Sequence, residues 1–408
     1  MKNLNKYNLI LFFYIFIKII MDSEILLVNN DIKKKRRLTN DILLSIIIVL
    51  IALISCFIIL FIKEKNKTKS FSKDENKSIN LDGVSSNYKS YIPLSSWNDC
   101  DAKTKLSQFI SKINSAENYV KKEDRIAVFD FDGTLFQETD PIYNDYKLYY
   151  YRVKEDSNYS ATDEQKAIAD EIKKSMENYI IPNELIRKVT STYPDIFKDL
   201  TVEQYQQYIK DFVDKPSEGY ENMKRGDAFY KPMLEIIEFL QKNDFNVYIN
   251  SGAERYQLRA MIDGHIDIPP TNIIGSEYDI VATNQGDIQG HEYTYQNEDD
   301  FSFNNSYYRD NYRTNKIIGI IREIGKHPIL LFGNSDGDSD MAKYVMNNKK
   351  YPSLAFMICC DDTDRERGDE QKAEKMRQAC QENGWVPISM KKDWITIYGE
   401  NVKKKTNN

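Results

Sequence analysis

The sequence predicts an α/β chain: a parallel sheet interrupted by a helical insertion and preceded by one membrane-spanning helix. Three observations lead there. Short apolar runs at 126–129, 246–250, 329–332 and 354–358 end in polar or glycine-bearing turns and alternate with helical patterns, as strands of a buried parallel sheet do. Roughly ninety residues between the first run and the second carry helical periodicity alone, on the scale of a small domain. Residues 42–62 are 21 consecutive residues without a charge.

That uncharged run is as long as a bilayer span needs to be, and buried core helices seldom go so far without a charged group. Lys33, Lys34, Lys35, Arg36 and Arg37 precede it, and Lys63, Lys65, Lys67 and Lys69 follow it. The tighter cluster lies on the N-terminal side, which orients the basic segment 1–41 to the cytoplasm and the long remainder outside. Residues 63–95 are polar, charged and serine-rich and read as a flexible stalk. The first 70 residues hold 12 Lys/Arg against 5 Asp/Glu, a net of +7, which leaves −13 on the rest of a chain whose total is −6. So acidic a portion is a poor partner for nucleic acid.

After the stalk, Leu106, Phe109, Ile110 and Ile113 recur at helical spacing and predict a helix over 102–121. The strand at 126–129 then delivers Asp130-Phe131-Asp132-Gly133-Thr134 to its C-terminal end, where open α/β sheets place their chemistry. Carboxylates two residues apart repel unless a cation or a shared proton lies between them, so the pair suggests Mg²⁺ or acid/base work. Read more plainly, it is an Asp-rich turn closing an ordinary strand.

In the insertion, helices are expected at 161–179, 183–190 and 201–213, broken by Pro182, Pro194 and Pro216. Tyr143, Tyr146, Tyr149, Tyr150 and Tyr151 cluster near Glu138, Asp140 and Asp145. They fit either an aromatic cage for an alkylammonium group or ordinary packing within the insertion.

Beyond it, a helix is expected over 232–243, then the strand 246–250 followed by Ser251 and Gly252, a junction able to cradle a phosphoryl oxygen. Residues 273–290 read as an edge hairpin turning near Asn284-Gln285-Gly286, while 296–311 reads as irregular. Lys316 opens a helix running over 317–324. The strand at 329–332 enters Gly333-Asn334-Ser335-Asp336-Gly337-Asp338-Ser339-Asp340, an oxygen-rich loop suited to a hard cation. An EF-hand is excluded, because the sixth position from Asn334 is Ser339 rather than Gly and the twelfth is Val345 rather than Glu. The run 354–358 reads as the last strand. Cys100, Cys359, Cys360 and Cys380 show no zinc spacing; outside the cell they could form a disulfide, Cys380 with one of the vicinal pair, or else they are small buried hydrophobes.

Asp130-Phe131-Asp132-Gly133-Thr134-Leu135, Ser251, Lys316 and Gly333-Asn334 with Asp338 together resemble the four motifs of the haloacid dehalogenase-like (HAD) superfamily, in its phosphatase branch, over residues 100–398. The resemblance implies a HAD-type, Rossmann-like core at 96–139 and 231–398 with a helical cap at 140–230. It also implies a Mg²⁺-dependent phosphatase acting on a small phosphomonoester such as phosphorylcholine or a phosphoamino acid. Asp130 would attack phosphorus, Asp132 would serve as general acid and base, and Ser251, Gly252 and Lys316 would hold the phosphoryl group. Asp130, Asp132, Asn334 and Asp338 would surround the metal. Asn334 departs from the family, which more often has Asp there, and Asp336 is a candidate to compensate. A phosphotransferase, or a membrane-tethered binding protein with a weakened site, are the alternatives.

Overall fold

β1 (Ile126–Phe129) is buried throughout and lies near the middle of a seven-stranded sheet. The computed structural model describes residues 94–405 apart from Pro141, Tyr179 and Asp199. The segment 1–41, the span expected at 42–62 and nearly all of the expected stalk lie outside them; among the described residues no helix is long and apolar enough to cross a membrane.

Before β1 comes α1 (Asp101–Asn114), shorter than expected because Ser115, in extended conformation, ends it. Between β1 and the second long strand stand α2 (Asn144–Lys154), α3 (Asp163–Asn178), α4 (Asn183–Phe197) and α5 (Val202–Val213), with the two-residue strand β2 (Tyr220–Glu221) after them. Pro194 does not break α4 as expected: it lies in the last turn, where a proline removes one ladder bond, and Tyr193, Ile196 and Phe197 around it are buried. The chain enters and leaves this insertion through paired linkers, with Gln137 N donating to Ala228 O at 2.9 Å and Tyr230 N to Leu135 O at 2.8 Å.

The core continues as α6 (Lys231–Lys242), β3 (Asn246–Glu254), α7 (Arg255–Ile262), β4 (Ile273–Ala282), β5 (Phe301–Arg309), α8 (Thr314–Gly319) with a π-helical turn at Ile320–Ile324, β6 (Leu330–Gly333) and α9 (Ser339–Met346). It closes with β7 (Leu354–Cys359), α10 (Glu370–Asn383), β8 (Val386–Ser389), α11 (Met390–Asp393) and β9 (Lys403–Lys404). The sheet order is β5-β4-β3-β1-β6-β7-β8, parallel except for β5. Alternate residues of β1 serve two cores: Ile126 and Val128 pack on the side of Met341, Met357 and Trp385, whereas Ala127 and Phe129 join the larger cluster. On that second face Phe129, Phe332 and Phe356 stack across three strands with centroids 4.5 and 4.8 Å apart.

Two further expectations are corrected, and the cysteines fall to one of their two readings. The hairpin partner of β4 is 301–309, not the stretch just after the 284–286 turn. Phe303 alternates inward onto Tyr205, Tyr256 and Tyr278, and the Asp299 carboxylate closes the intervening loop by accepting from Asn284 and Gln296 backbone N–H groups and from Tyr293. β7 is not the last strand, because Val386–Ser389 adds a parallel neighbour at that edge. Cys100, Cys359, Cys360 and Cys380 are all free thiols; Cys359 and Cys380 are buried among apolar side chains, the small-hydrophobe alternative.

Candidate active site

Register decides what stands beside Asp130. Phe129 is level with Ile249 of β3 and with Phe332 of β6, so two residues further along each strand Phe131, Ser251 and Asn334 reach the same C-terminal edge. Asp130 N donates to Phe332 O at 2.9 Å, which seats the residue against β6. Its side chain is buried. Lys316, from the first turn of α8, donates from Nζ to Asp130 Oδ1 at 2.5 Å and to Asp338 Oδ1 at 2.7 Å, and it too is buried.

Burial and the Asp338 charge push the Asp130 carboxyl up to about 7, against the pull of Lys316. Burial alone would lower the Lys316 ammonium, but Asp130 and Asp338 outweigh it and hold it above the ordinary lysine range. Asp132 is half-buried, and its carboxyl lies well above the usual range through desolvation first and then the charges of Asp145, Asp130 and Glu138. A carboxyl raised well above its ordinary range beside one tied to an ammonium is a pair with divided acid and nucleophile chemistry.

Gly133 has φ +76°, and a Cβ there would stand 1.9 Å from Asn334 Nδ2. The β1 turn and the loop after β6 therefore touch at a point that only glycine allows. Asp338, fully buried, holds that loop: its Oδ2 accepts from Asn334 N and Ser335 N at 3.1 Å and from Ser335 Oγ at 3.0 Å. Asp336 is exposed. Ser251 and Gly252 belong to β3 itself rather than following it, and Ser251 Oγ accepts from Ala253 N at 3.1 Å. Helix α7 begins at Arg255, with the Glu254 carboxylate capping it through Gln257 N at 2.7 Å.

Among the described residues no three His, Cys, Asp or Glu side chains gather as a metal cage. The oxygen chemistry nonetheless suits a hard cation. Thr134 Oγ1 lies 3.3 Å from Asp130 Oδ2 and 3.4 Å from Asn334 Oδ1, which brings a carboxylate and an amide oxygen to one place. Asp338 already engages both its oxygens, so its present part is to orient Lys316 and the Asn334 loop.

Two residues of the site escaped the sequence reading. Asn311, fully buried, donates from Nδ2 to Asn250 Oδ1 at 2.7 Å and to Ser251 O at 2.8 Å, while Asn250 Nδ2 donates to Lys316 O at 2.9 Å. This asparagine pair ties the end of β3 to the helix that presents the lysine. Tyr312, next to it, lies against Gly252 and Gly337. Nothing in the local pattern of 296–311, or of Tyr312 just after it, marks either residue.

The tyrosine cluster divides. Tyr149 is buried against Tyr193, and Tyr151 packs on Tyr208 and Phe212, as insertion packing predicts. Tyr143 turns toward the site and donates to Glu138 Oε1 at 2.8 Å. Asp145 accepts from Gln257 Nε2. Asp140 stands apart from the chemistry; it accepts from Ser217 Oγ and Gly219 N at 3.0 Å and pairs with Arg367.

No protein-family model and no curated protein matches the chain. Among solved structures it is similar to a functionally unknown protein from Anaerococcus prevotii, at 14% identity over 70% of this chain and 92% of that one, with a TM-score of 0.43. It is also similar to cytosolic 5'-nucleotidase IIIB bound to cytidine, at 10% identity over 71% and 87% of the two chains with a TM-score of 0.40. A phosphoserine phosphohydrolase-like protein from Francisella tularensis is 17% identical over 62% and 92%, with a TM-score of 0.33. HAD-family hydrolases and phosphoserine phosphatases stand among these structural neighbours.

Proposed function

We propose that this chain is a HAD-like phosphomonoesterase that works through an aspartyl-phosphate intermediate. The observation that carries the reading is one buried lysine bridging Asp130 and Asp338 at 2.5 and 2.7 Å, with a second carboxyl, Asp132, two residues on and raised well above the usual carboxylate range. An Asp130 oxygen bonds to phosphorus as the ester P–O bond breaks, and Asp132 gives its proton to the departing alkoxide. Asp132 then takes a proton from water, whose oxygen attacks the phosphorus of the aspartyl phosphate; the Asp130–phosphoryl bond breaks and inorganic phosphate leaves. Lys316, Ser251 and the Gly252 N–H steady the phosphoryl oxygens, as donors fixed before reaction do at low cost.

Mg²⁺ would be held by Asp130, the Asp132 carbonyl, Asn334 and a remaining lone pair of Asp338, and when bound it neutralises phosphoryl charge. The uncharged run at 42–62 supports a membrane anchor with the catalytic part outside the cytoplasm. Asn334, an amide where the resemblance favours a carboxylate, is the observation that keeps a weakened, merely binding site as the second reading. Hydrolysis of p-nitrophenyl phosphate by the full-length chain, with Mg²⁺ and with chelator, separates the two. Turnover should require the metal and vanish in Asp130→Asn; a variant with near wild-type rates sinks the assignment.

A further inference from the structure

Tyr312, one of the two residues with no local mark in the sequence, also occupies the most telling place. A Cβ on Gly252 would meet Tyr312 Cδ2 at 3.5 Å, and a Cβ on Gly337 would meet Tyr312 Cε2 at 2.9 Å and its hydroxyl at 3.2 Å. Gly252 belongs to the end of β3 and Gly337 to the loop after β6, and β1 lies between those two strands. A ring resting on both spans the C-terminal edge of the two strands that flank β1, the edge at which Asp130 and Asp132 stand.

The backbone around the ring is held on both sides. Asn311 is locked by Ser276, Asn250 and Ser251. Arg313 takes φ 51° and ψ −123°, a conformation that side chains rarely adopt, and its carbonyl accepts from Lys316 N at 3.0 Å. Despite this the ring is 49% exposed, so it is positioned without being packed away. Across the mouth, from the insertion, comes Tyr143, whose surroundings include Glu138, Asp132 and Tyr312. Glu138 holds Tyr143 on that side by accepting its hydroxyl at 2.8 Å.

We propose that the Tyr312 face is one wall of a leaving-group subsite, which selects phosphomonoesters whose alcohol presents a flat or apolar face. The proposal rests on the phosphatase reading and adds its substrate class. Aromatic faces bind flat groups chiefly by area, so the effect falls on KM for such substrates and little on the chemical step.

The test measures kcat and KM of the full-length chain for phenyl phosphate, 4-carboxyphenyl phosphate and glycerol 2-phosphate, in wild type, Tyr312→Ala and Tyr312→Phe. Wild type should show a kcat/KM for the two aryl phosphates at least about tenfold above that for glycerol 2-phosphate, Tyr312→Ala should erase that preference mainly through KM, and Tyr312→Phe should keep it within about threefold. If wild type turns over the substrates without preference, or Tyr312→Ala lowers kcat alike on all three with the preference intact, the subsite is overturned while the phosphatase reading stands. No turnover of any substrate by wild type removes both. Should Tyr312→Ala not fold, inhibition of wild type by phenylphosphonate against methylphosphonate reads the same wall: tighter binding of the phenyl compound supports it and equal inhibition overturns it.

Discussion

Replacing Lys316 by methionine isolates the charge arrangement on which the proposed chemistry depends. The ammonium lies 2.5 Å from one carboxylate and 2.7 Å from another, with all three side chains buried. At an effective dielectric constant near 20 each contact is worth about 6 kcal/mol of attraction, most of it offset by desolvation of the ions. Methionine keeps the volume and removes the charge, leaving Asp130 and Asp338 facing one another. Breaking such a buried pair costs about 3–5 kcal/mol, a large part of a total stability of roughly 5–15 kcal/mol.

A proton partly replaces the lost ammonium, which fixes the sign of the pH dependence. The Asp130 carboxyl already lies near 7 and rises further without the lysine. A carboxyl raised in the folded state stabilises it at low pH and loses that contribution as pH climbs through the folded value. The deficit of Lys316→Met is therefore smaller at pH 6 than at pH 9. Trp97, Trp385 and Trp394 are all buried, so urea unfolding followed by tryptophan fluorescence at both pH values reads it directly. Turnover should fall by about 10²–10³. Unfolding free energies within about 0.5 kcal/mol of wild type at both pH values, with turnover retained, would refute the role given to the lysine.

Gly133→Ala forces a side chain into a left-handed position, at about 1–2 kcal/mol, and drives a methyl into Asn334; the Mg²⁺ concentration for half-maximal rate should rise, and an unchanged metal titration would show that this close approach is irrelevant. Glu254 is pushed up to about 8, first by burial and with Asp145 adding, against the N–H groups of Tyr256 and Gln257. Its contribution to stability is complete below pH 4.5 and is lost as pH rises through about 8. Glu254→Gln keeps a capping oxygen that does not titrate, so its stability curve should be flatter than wild type by on the order of 2–3 kcal/mol between pH 6 and 9; parallel curves would rule out a buried, proton-holding Glu254.

Apart from Lys316, the residues expected at the site from sequence sit at junctions that a short window can express. Four apolar residues followed by Asp130, or by Gly333 and Asn334, state locally both that a strand is buried and that polar groups stand at its end, because burial and backbone preference are properties of neighbours in the chain. Lys316 needed more. A lysine in a lysine-rich chain carries no local mark, and only its spacing to the other motifs singled it out. The β4–β5 pairing failed to show for a related reason: Asp299 and its loop hide an aromatic alternation that begins only at Phe301.

What the sequence determined by itself was therefore the set of strand ends and the carboxylates, amide and glycine they carry. Tertiary structure alone decided their mutual arrangement: the strand order that puts β1 between β3 and β6, the asparagine pair joining Asn250 to Asn311, the tyrosine laid over two glycines, and the desolvation that lifts Asp130, Asp132 and Glu254. The reason is physical. Propensity and hydrophobic pattern act between residues a few positions apart, whereas register, ion pairing and dielectric depend on side chains far away along the chain, as Lys316 is from Asp130 at 186 positions.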